Sequence, residues 1–167
     1  MKKLIIHSPK FGRHVVLYDD EDHELISNKT WHINKRGKSV YAVHTFIKNN
    51  ISISIKMHRL VMGLHKKRIP FIDHIDRNGL NNQKSNLRIC NQSTNQQNTG
   101  LNSRNVTGFK GVSLYTIGCN AGKYVVSLKA NGKRYHGGYF KDPLMAAKKY
   151  NEMAKKIQGE FAFLNKL

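Results

Sequence analysis

Residues 71–98 read FIDHIDRNGLNNQKSNLRICNQSTNQQN, and their pattern is the most informative in the chain. Its apolar beginning ends at Asp73 and His74, a turn-rich loop follows, and NLRIC at residues 86–90 has the composition of a second short strand. Ser93 can cap a helix that starts directly afterwards. The order strand, loop, strand, helix therefore predicts a hairpin folded onto a helix.

This order places oxygen and nitrogen ligands where they can serve a hydrolytic reaction. A hairpin folded onto a helix can bring the Asp73 carboxylate and the Asn95 amide oxygen to one hard cation. His74 points to the other side of its strand and faces a water instead. Judged by spacing alone, an Asp-His pair is more often a turn or a surface hydrogen bond, and residues 91–98 equally fit a solvated loop.

The charge of the chain favours a polyanionic partner. Its 167 residues include 29 Lys+Arg and 10 Asp+Glu, a formal net charge of +19, so long-range electrostatics attract nucleic acid. Five of the ten acids lie within residues 19–24, which makes Asp73 and Asp76 scarce carboxylates in a basic surface. A carboxylate there repels DNA unless a cation lies between them. Asp76 is interpreted either as a residue that supports the site from behind or as a turn residue of the loop, and in both cases it lies outside the site.

The two cysteines, Cys90 and Cys119, lack the paired spacing of zinc ligands, which excludes a cysteine-rich zinc site and a disulfide framework. Reduced thiols indicate a cytoplasmic protein. No apolar run approaches the length of a signal segment or a membrane span, so we expect no membrane partner. We also expect no small-molecule substrate.

The pattern of the whole chain predicts an α+β fold in four segments. Alternating apolar positions indicate a small antiparallel sheet at the N-terminus, and MHRLV begins a short helix that ends near Pro70. The polar residues before Thr107 indicate a linker. The predicted segments are a β-rich region at 1–56, the strand-loop-strand-helix motif within 57–100, a linker at 101–107 and a C-terminal domain at 108–167.

The C-terminal domain reads as a three-stranded antiparallel sheet packed on one helix. Asn131-Gly132 is a strong two-residue hairpin signal. Asp142 is a natural N-cap before Pro143, and an apolar stripe then begins at Leu144 and ends at Gly159. Period-two geometry gives the second strand a polar and an apolar face. The polar face of this strand carries Lys123, Val125, Ser127 and Lys129, and the apolar face carries Tyr124, Val126 and Leu128.

Residues 57–98 resemble the HNH endonucleases with the ββα-metal fold, in particular the homing endonucleases of phages and mobile introns. The resemblance rests on MHRLV (57–61), the pair Asp73-His74, the triplet Asn-Leu-Arg at 86–88, and Asn95. It implies that His74 is the general base, that Asn86 braces the loop holding His74, and that Asp73 and Asn95 bind one divalent metal ion. We expect Mg²⁺, with Mn²⁺ as the alternative, and products with 5′-phosphate and 3′-hydroxyl ends.

Two residues beside this motif have open interpretations. His58 and Arg59 lie in MHRLV, next to the predicted site, and either contact a phosphate or lie on the surface of a helix. The sequence assigns no role to six further histidines, His7, His14, His23, His32, His44 and His65.

Residues 108–162 resemble a second family, the Apetala-two domain of the ethylene-response-factor type, through FKGV (109–112), GKYVVSLKANGKRYHGGYF (122–140) and AAKKYNEMAKKIQGEFAFLN (146–165). In that family the sheet lies in the major groove of DNA. Several family Arg and Trp residues are replaced here, so the family's base preference does not transfer. The resemblance implies DNA contacts by Lys110, Ser113, Tyr115, Lys123, Ser127, Lys129, Arg134 and His136.

Together these patterns predict a sequence-directed, metal-dependent endonuclease of the homing type that acts on double-stranded DNA as a monomer. The rival interpretation is a DNA-binding regulator that keeps the HNH scaffold without turnover. RNA binding is a third class, but a sheet shaped for the major groove argues against it, because the A-form major groove is too narrow to read.

Overall fold

The structure, a computed structural model, describes residues 1–65 and 69–167. The chain forms two compact units, an N-terminal unit at Met1–Cys90 and a C-terminal unit at Asn91–Leu167. The boundary precedes the helix that carries Asn95, whereas the sequence places a linker later, at residues 101–107. The four-segment division stays a prediction. Within the described residues, no helix is both long and apolar enough to cross a membrane.

The first part of the N-terminal unit contains two antiparallel sheets where the sequence predicts one. An acidic turn and a short helix separate them, because residues 19–27 leave the extended conformation. The first sheet pairs β1 (Lys2–Ser8) with β2 (Gly12–Tyr18), and α1 (His23–Ser27) follows. The second has the order β3-β4-β5, with β3 (His32–Arg36), β4 (Ser39–Lys48) and β5 (Ile51–Lys56).

The second part of the N-terminal unit is the predicted hairpin. Helix α2 (Met57–Val61) precedes it and ends well before Pro70, since Gly63 adopts a left-handed conformation with φ of 67° directly after the helix. Strands β6 (Phe71–His74) and β7 (Leu87–Cys90) pair antiparallel, which confirms the strand, loop and strand of the sequence analysis.

One apolar core holds the N-terminal unit together. Val16 of β2, Ile26 of α1 and Met57 of α2 are fully buried within it. Leu80 of the loop between β6 and β7 and Leu87 of β7 reach the same core. Burial of each large side chain contributes about 1.5–3 kcal/mol to the free energy of unfolding. Because the core side chains come from β2, α1 and α2, elements distant in sequence hold the hairpin in place.

The C-terminal unit begins with α3 (Gln92–Gln97), whose N-cap is Asn91 rather than the predicted Ser93. The Asn91 side chain accepts a hydrogen bond from the Thr94 N–H at 2.8 Å, and the Thr94 hydroxyl accepts one from the Asn91 N–H at 3.0 Å. This reciprocal pair satisfies two of the helix's otherwise unpaired donors.

The rest of the C-terminal unit has the predicted layout of three strands and one helix. Its sheet has the order β10-β9-β8, and Asn131 and Gly132 form the turn with φ of 49° and 77°. The elements are β8 (Val112–Leu114), β9 (Tyr124–Ala130), β10 (Lys133–Phe140) and α4 (Pro143–Gln158).

Helix α4 packs on one face of this sheet through small residues and one tyrosine. Asp142 caps it by accepting hydrogen bonds from two backbone N–H groups, as predicted. Its buried residues include Ala147, Tyr150 and Ala154, whereas Leu144 of the predicted stripe is 46% exposed. Gly111 lies so close to the Tyr150 ring that a Cβ there would be 2.1 Å from it, so this position needs glycine.

Candidate active site

Asp73 and His74 are the last two residues of β6, and both are buried, with 6% of each residue exposed. Arg88 lies directly across the hairpin from Asp73. Its guanidinium donates two hydrogen bonds to Asp73 Oδ2, at 2.9 Å from Nε and 2.7 Å from Nη2. These two bonds fix the position of the carboxylate at the end of the strand.

Two aromatic rings from other elements enclose the His74 imidazole. The His58 ring of α2 lies at 4.9 Å between centroids and perpendicular to the His74 ring, and the Tyr41 ring of β4 lies at 6.0 Å. Tyr41 and His58 also contact each other, at 5.4 Å. The expectation that His58 contacts a phosphate or lies on a helix surface is therefore wrong, because His58 is 6% exposed and packs inside the unit.

The environment of His74 favours the neutral imidazole. Burial lowers the pKa of His74 below its ordinary value, while the adjacent Asn82 side chain and the Asp76 carboxylate oppose this shift without reversing it. Burial also lowers the pKa of His58 to about 2, so this neighbour adds no positive charge. A neutral imidazole at physiological pH can accept a proton.

Asn86 holds the loop that follows His74. Its amide oxygen accepts a hydrogen bond from the Asp76 N–H at 3.0 Å, and its carbonyl oxygen accepts one from the Ile75 N–H at 2.9 Å. Its amide nitrogen donates to Asp76 Oδ1 and to the Asn81 carbonyl oxygen, both at 2.9 Å. This geometry is what a brace for the loop requires, and the role itself stays a prediction.

Asp76 is a residue of the loop, as the sequence predicts, and its carboxylate holds the turn together. Its carboxylate accepts hydrogen bonds from the Asn78 N–H at 2.8 Å and from the Asn81 and Asn86 side chains. Burial raises the pKa of Asp76, but these hydrogen bonds outweigh burial, and the net pKa lies below its usual range. The scarcity of acids was the one sequence signal that pointed to it.

The acidic run, defined as residues 19–24, holds the far end of the same loop. Asp19 accepts hydrogen bonds from the Lys84 N–H at 2.7 Å and the Gln83 side chain at 3.2 Å. The Lys84 ammonium pairs with Glu21 and, at 3.2 Å, with Asp22. Asp19 therefore holds the loop by hydrogen bonds, while Glu21 and Asp22 neutralise the Lys84 ammonium.

Backbone contacts with β2 and β4 complete the support of the loop. The Leu17 N–H donates to the Leu80 carbonyl oxygen, and the Asn82 N–H donates to the Leu17 carbonyl oxygen, both at 2.8 Å. At Gly79 the loop approaches β4 so closely that a Cβ would lie 2.3 Å from the Val40 carbonyl oxygen and 2.7 Å from the Tyr41 ring. Gly79 therefore allows the loop to pack where Tyr41 contacts His74.

Arg59 of α2 and Lys56, directly before α2, are basic residues that make different contacts. Arg59 holds the backbone, donating from Nη1 to the Pro70 carbonyl oxygen at 3.1 Å and from Nη2 to the Leu64 carbonyl oxygen at 2.9 Å. Lys56 lies with its ammonium 4.4 Å from the centre of the Tyr41 ring. Burial and the nearby Arg36 and Arg59 charges lower its pKa. Lys56 thus brings positive charge to the side of Tyr41, while the Asp73 and Asp76 carboxylates bring negative charge to His74.

The donor chemistry of the site suits a hard divalent cation. The carboxylate of Asp73 is a hard oxygen ligand, and Mg²⁺ is commonly bound through one or two carboxylates together with waters and substrate phosphates. No group of three or more His, Cys, Asp or Glu residues with metal-site geometry occurs in the part of the chain that the structure describes. Asn95, the second predicted ligand, lies on α3 in the C-terminal unit.

In the C-terminal unit, the sheet brings five of the predicted DNA-contacting residues onto one face. Strand register places Ser113 beside Val125, Ser127 beside His136 and Lys129 beside Arg134. The opposite face of β9 packs on α4, which confirms the predicted division into a polar and an apolar face. Tyr139 also lies on the polar face, 5.0 Å from the rings of Tyr115 and His136, and was not predicted.

The three other predicted contact residues lie outside the strands. Lys110 donates to the carbonyl oxygens of Gln97 and Thr99, both at 2.6 Å, so its ammonium already serves the fold of this unit. Lys123 precedes β9 and donates to Asn120 Oδ1 at 2.9 Å, and Tyr115 follows β8. DNA contact by these residues stays a prediction.

Comparison with known proteins identifies the family. The chain is 33% identical over 147 residues to an uncharacterized HNH endonuclease of Acanthamoeba polyphaga mimivirus, a match that covers 86% of this chain and 70% of the relative. No family model matches the chain. No solved structure matches it. The chain belongs to the HNH endonuclease family, and the Apetala-two similarity of its C-terminal part stays a resemblance.

Proposed function

We propose that the protein is a metal-dependent endonuclease of the homing type that hydrolyses phosphodiester bonds in double-stranded DNA. The observation that carries the proposal is the buried His74, kept neutral beside the Asp73 carboxylate at the end of β6. Family membership supports nuclease chemistry, and the net charge of +19 supports a polyanionic substrate.

His74 is the general base of this reaction. Its imidazole takes a proton from a water as the water oxygen attacks phosphorus. The bond from phosphorus to the 3′ oxygen breaks and this oxygen takes a proton from solvent, giving 5′-phosphate and 3′-hydroxyl ends. Proton transfer of this kind contributes about 10²–10⁴-fold to a rate. Tyr41 and His58 support the role because their rings limit the orientations open to His74.

Asp73 holds one divalent metal ion, Mg²⁺ in the first instance and Mn²⁺ as the alternative. When bound, such an ion neutralises charge on the phosphate and on the leaving oxygen. The assignment of Asn95 as the second oxygen ligand rests on the sequence resemblance. Arg88 keeps the Asp73 carboxylate in place through its two hydrogen bonds.

The polar face of the C-terminal sheet binds the duplex. Lys129 and Arg134 are exposed neighbours on this face, where their charges can meet phosphates, and Ser127 and His136 form the next pair along the strands. Because each chain has one proposed active site, a monomer nicks one strand of the duplex.

A plasmid that carries the native locus tests the proposal. We expect the protein to convert supercoiled plasmid to a nicked form with Mg²⁺ and to leave it unchanged with EDTA. Sequencing the cut ends should place a phosphate at the 5′ side. Binding of the plasmid without metal-dependent cutting would overturn the enzyme and leave a DNA-binding regulator on an HNH scaffold.

A further inference from the structure

The hairpin of β4 and β5 extends beyond the sheet to which it belongs. β3 pairs with β4 only as far as Val43, whereas β4 and β5 remain paired to Lys48 and Ile51. Asn49 and Asn50, with φ of 49° and 60°, form the tight turn at the tip. The outer half of the hairpin is therefore a two-stranded ribbon.

One face of this ribbon is apolar and aromatic. Register and strand alternation place His44 opposite Ile55 and Phe46 opposite Ile53 on that face. The remaining face carries hydroxyl residues and Ile47. We call the first surface the ribbon face and define it as His44, Phe46, Ile53 and Ile55.

The aromatic rings of the ribbon face are held in place. His44 Nδ1 donates to the Thr30 carbonyl oxygen at 2.8 Å, and its ring stacks on Phe46 with centroids 5.4 Å apart and planes 21° apart. The buried Trp31 supports the other side of His44 at 5.9 Å. Phe46 is thus the outer member of a fixed row of rings.

An open cleft of about 630 Å³ lies over the ribbon face, with Lys29 and Lys48 also lining it. Lys29 is held there by hydrogen bonds from its ammonium to the Leu25 carbonyl oxygen and to Asn28 Oδ1. Pockets of this size accommodate small organic groups. A flat ring placed on Phe46 would have cationic side chains beside it.

The positive charge of the chain around the ribbon face indicates which kind of partner binds there. From Leu25 to His65 the sequence has seven Lys or Arg residues and no Asp or Glu. A second copy of the same face would bring like charges together, so self-association is disfavoured. Nucleic acid combines negative phosphates with flat apolar bases, and these are the two properties that the cleft and its lysines complement.

We propose that the ribbon face binds a nucleobase displaced from its stacked position in the target DNA, with Phe46 as the stacking surface and Lys29 and Lys48 beside the flanking phosphates. The inference rests on the proposed function, since it takes DNA as the substrate. A base inside an intact duplex has no free ring face, so this contact couples binding to local opening of the helix.

Three single variants test the stacking contact. Phe46→Leu keeps an apolar side chain but removes the ring, Phe46→Trp keeps a ring, and Ile47→Ala changes the opposite face of the ribbon, where the side chain is 77% exposed. We expect Phe46→Leu to bind a 20-nucleotide single strand about ten-fold more weakly, with the other two near wild type. Fluorescence anisotropy measures the affinities, and thermal melting checks the fold.

Cutting of two plasmid-derived duplexes separates this inference from the proposed function. At protein concentrations that saturate both duplexes, we expect Phe46→Leu to cut the intact native site slowly and a version with a small mismatched bubble at the wild-type rate. Wild-type protein that cuts neither duplex contradicts the nuclease proposal, whereas the single-strand binding series still tests the ribbon face. Equal single-strand affinity of wild type and Phe46→Leu overturns the inference. Dimerisation of wild type that Phe46→Leu abolishes overturns it too, because the face then joins two copies.

Discussion

The loop after His74 and the polar face of the C-terminal sheet use polar residues in opposite ways. In the loop, Asp76 and Asn86 bond to each other and to the backbone, and Asp19 holds the far end. On the sheet, Lys129 and Arg134 project from a regular ladder into solvent. A reacting group needs one fixed geometry, whereas a surface that contacts phosphates needs charge and tolerates small displacements. Substitutions in the two regions should therefore fail differently.

The largest effect should come from His74→Ala. Loss of the general base should slow plasmid nicking by about 10²–10⁴-fold, while affinity for the same DNA changes little. Nicking rates and filter-binding affinities measure the two quantities side by side. A parallel loss of affinity would mean that His74 serves the structure rather than the reaction.

Next in size is Asn86→Ala, which removes the hydrogen bonds to Asp76 and Asn81. We expect up to about a 100-fold loss of nicking rate, because a displacement of about 1 Å at a reacting group has that cost. The unfolding free energy should fall by about 1–3 kcal/mol, as buried polar groups lose their partners. Ser85→Ala, at an exposed neighbouring position, is the control. An unchanged nicking rate in Asn86→Ala would contradict the brace.

Stability should depend on pH through His58. Burial holds its folded-state pKa at about 2, whereas the unfolded chain protonates near pH 6.5, so only the unfolded state binds this proton between those values. Stability is therefore full above pH 6.5 and falls as the pH decreases, by about 2 kcal/mol at pH 5. Urea unfolding of wild type and His58→Phe at pH 7 and pH 5 measures the difference. A wild-type pH slope that His58→Phe leaves unchanged would contradict the buried, neutral histidine.

The smallest effect should belong to Lys129→Gln on the sheet. Removing one phosphate contact should weaken DNA binding a few-fold and reduce the slope of log affinity against log salt by about 1, with the nicking rate at saturation unchanged. Lys155→Gln, on the exposed side of α4, is the matched control because it removes the same charge from the unit. Equal salt slopes for the two variants would place the DNA elsewhere.

The elements of both regions were predictable because their signals are local. Asn131-Gly132 and Asp142-Pro143 determine a turn and a helix start through the conformations of those residues themselves. β6 and β7 were predicted from composition in the same way. Asn91 was missed as the cap of α3 because Asn and Ser fit that role equally well in sequence.

What surrounds His74 was not predictable, since it depends on contacts distant in sequence. Tyr41 lies 33 positions before His74, and no motif connects them. The acidic run could be recognised as unusual, but its partner, the backbone of residue 84, carries no sequence signal. Both interpretations of His58, phosphate contact and helix surface, assumed an exposed side chain, because a five-residue helix gives too short a pattern to show which side is buried.

The acidic run also determines how small a working enzyme can be. Residues 83 and 84 are held by hydrogen bonds and ion pairs from Asp19, Glu21 and Asp22. Leu17 also forms a β-bridge to Asn81. A fragment trimmed to the motif within residues 57–100 would keep every candidate catalytic side chain and lose the supports of the loop that orients them. The nuclease motif of this protein is therefore not an independent unit, and its transfer into a DNA-binding protein would require β1, β2, the acidic residues that follow them and β4 to be transferred with it.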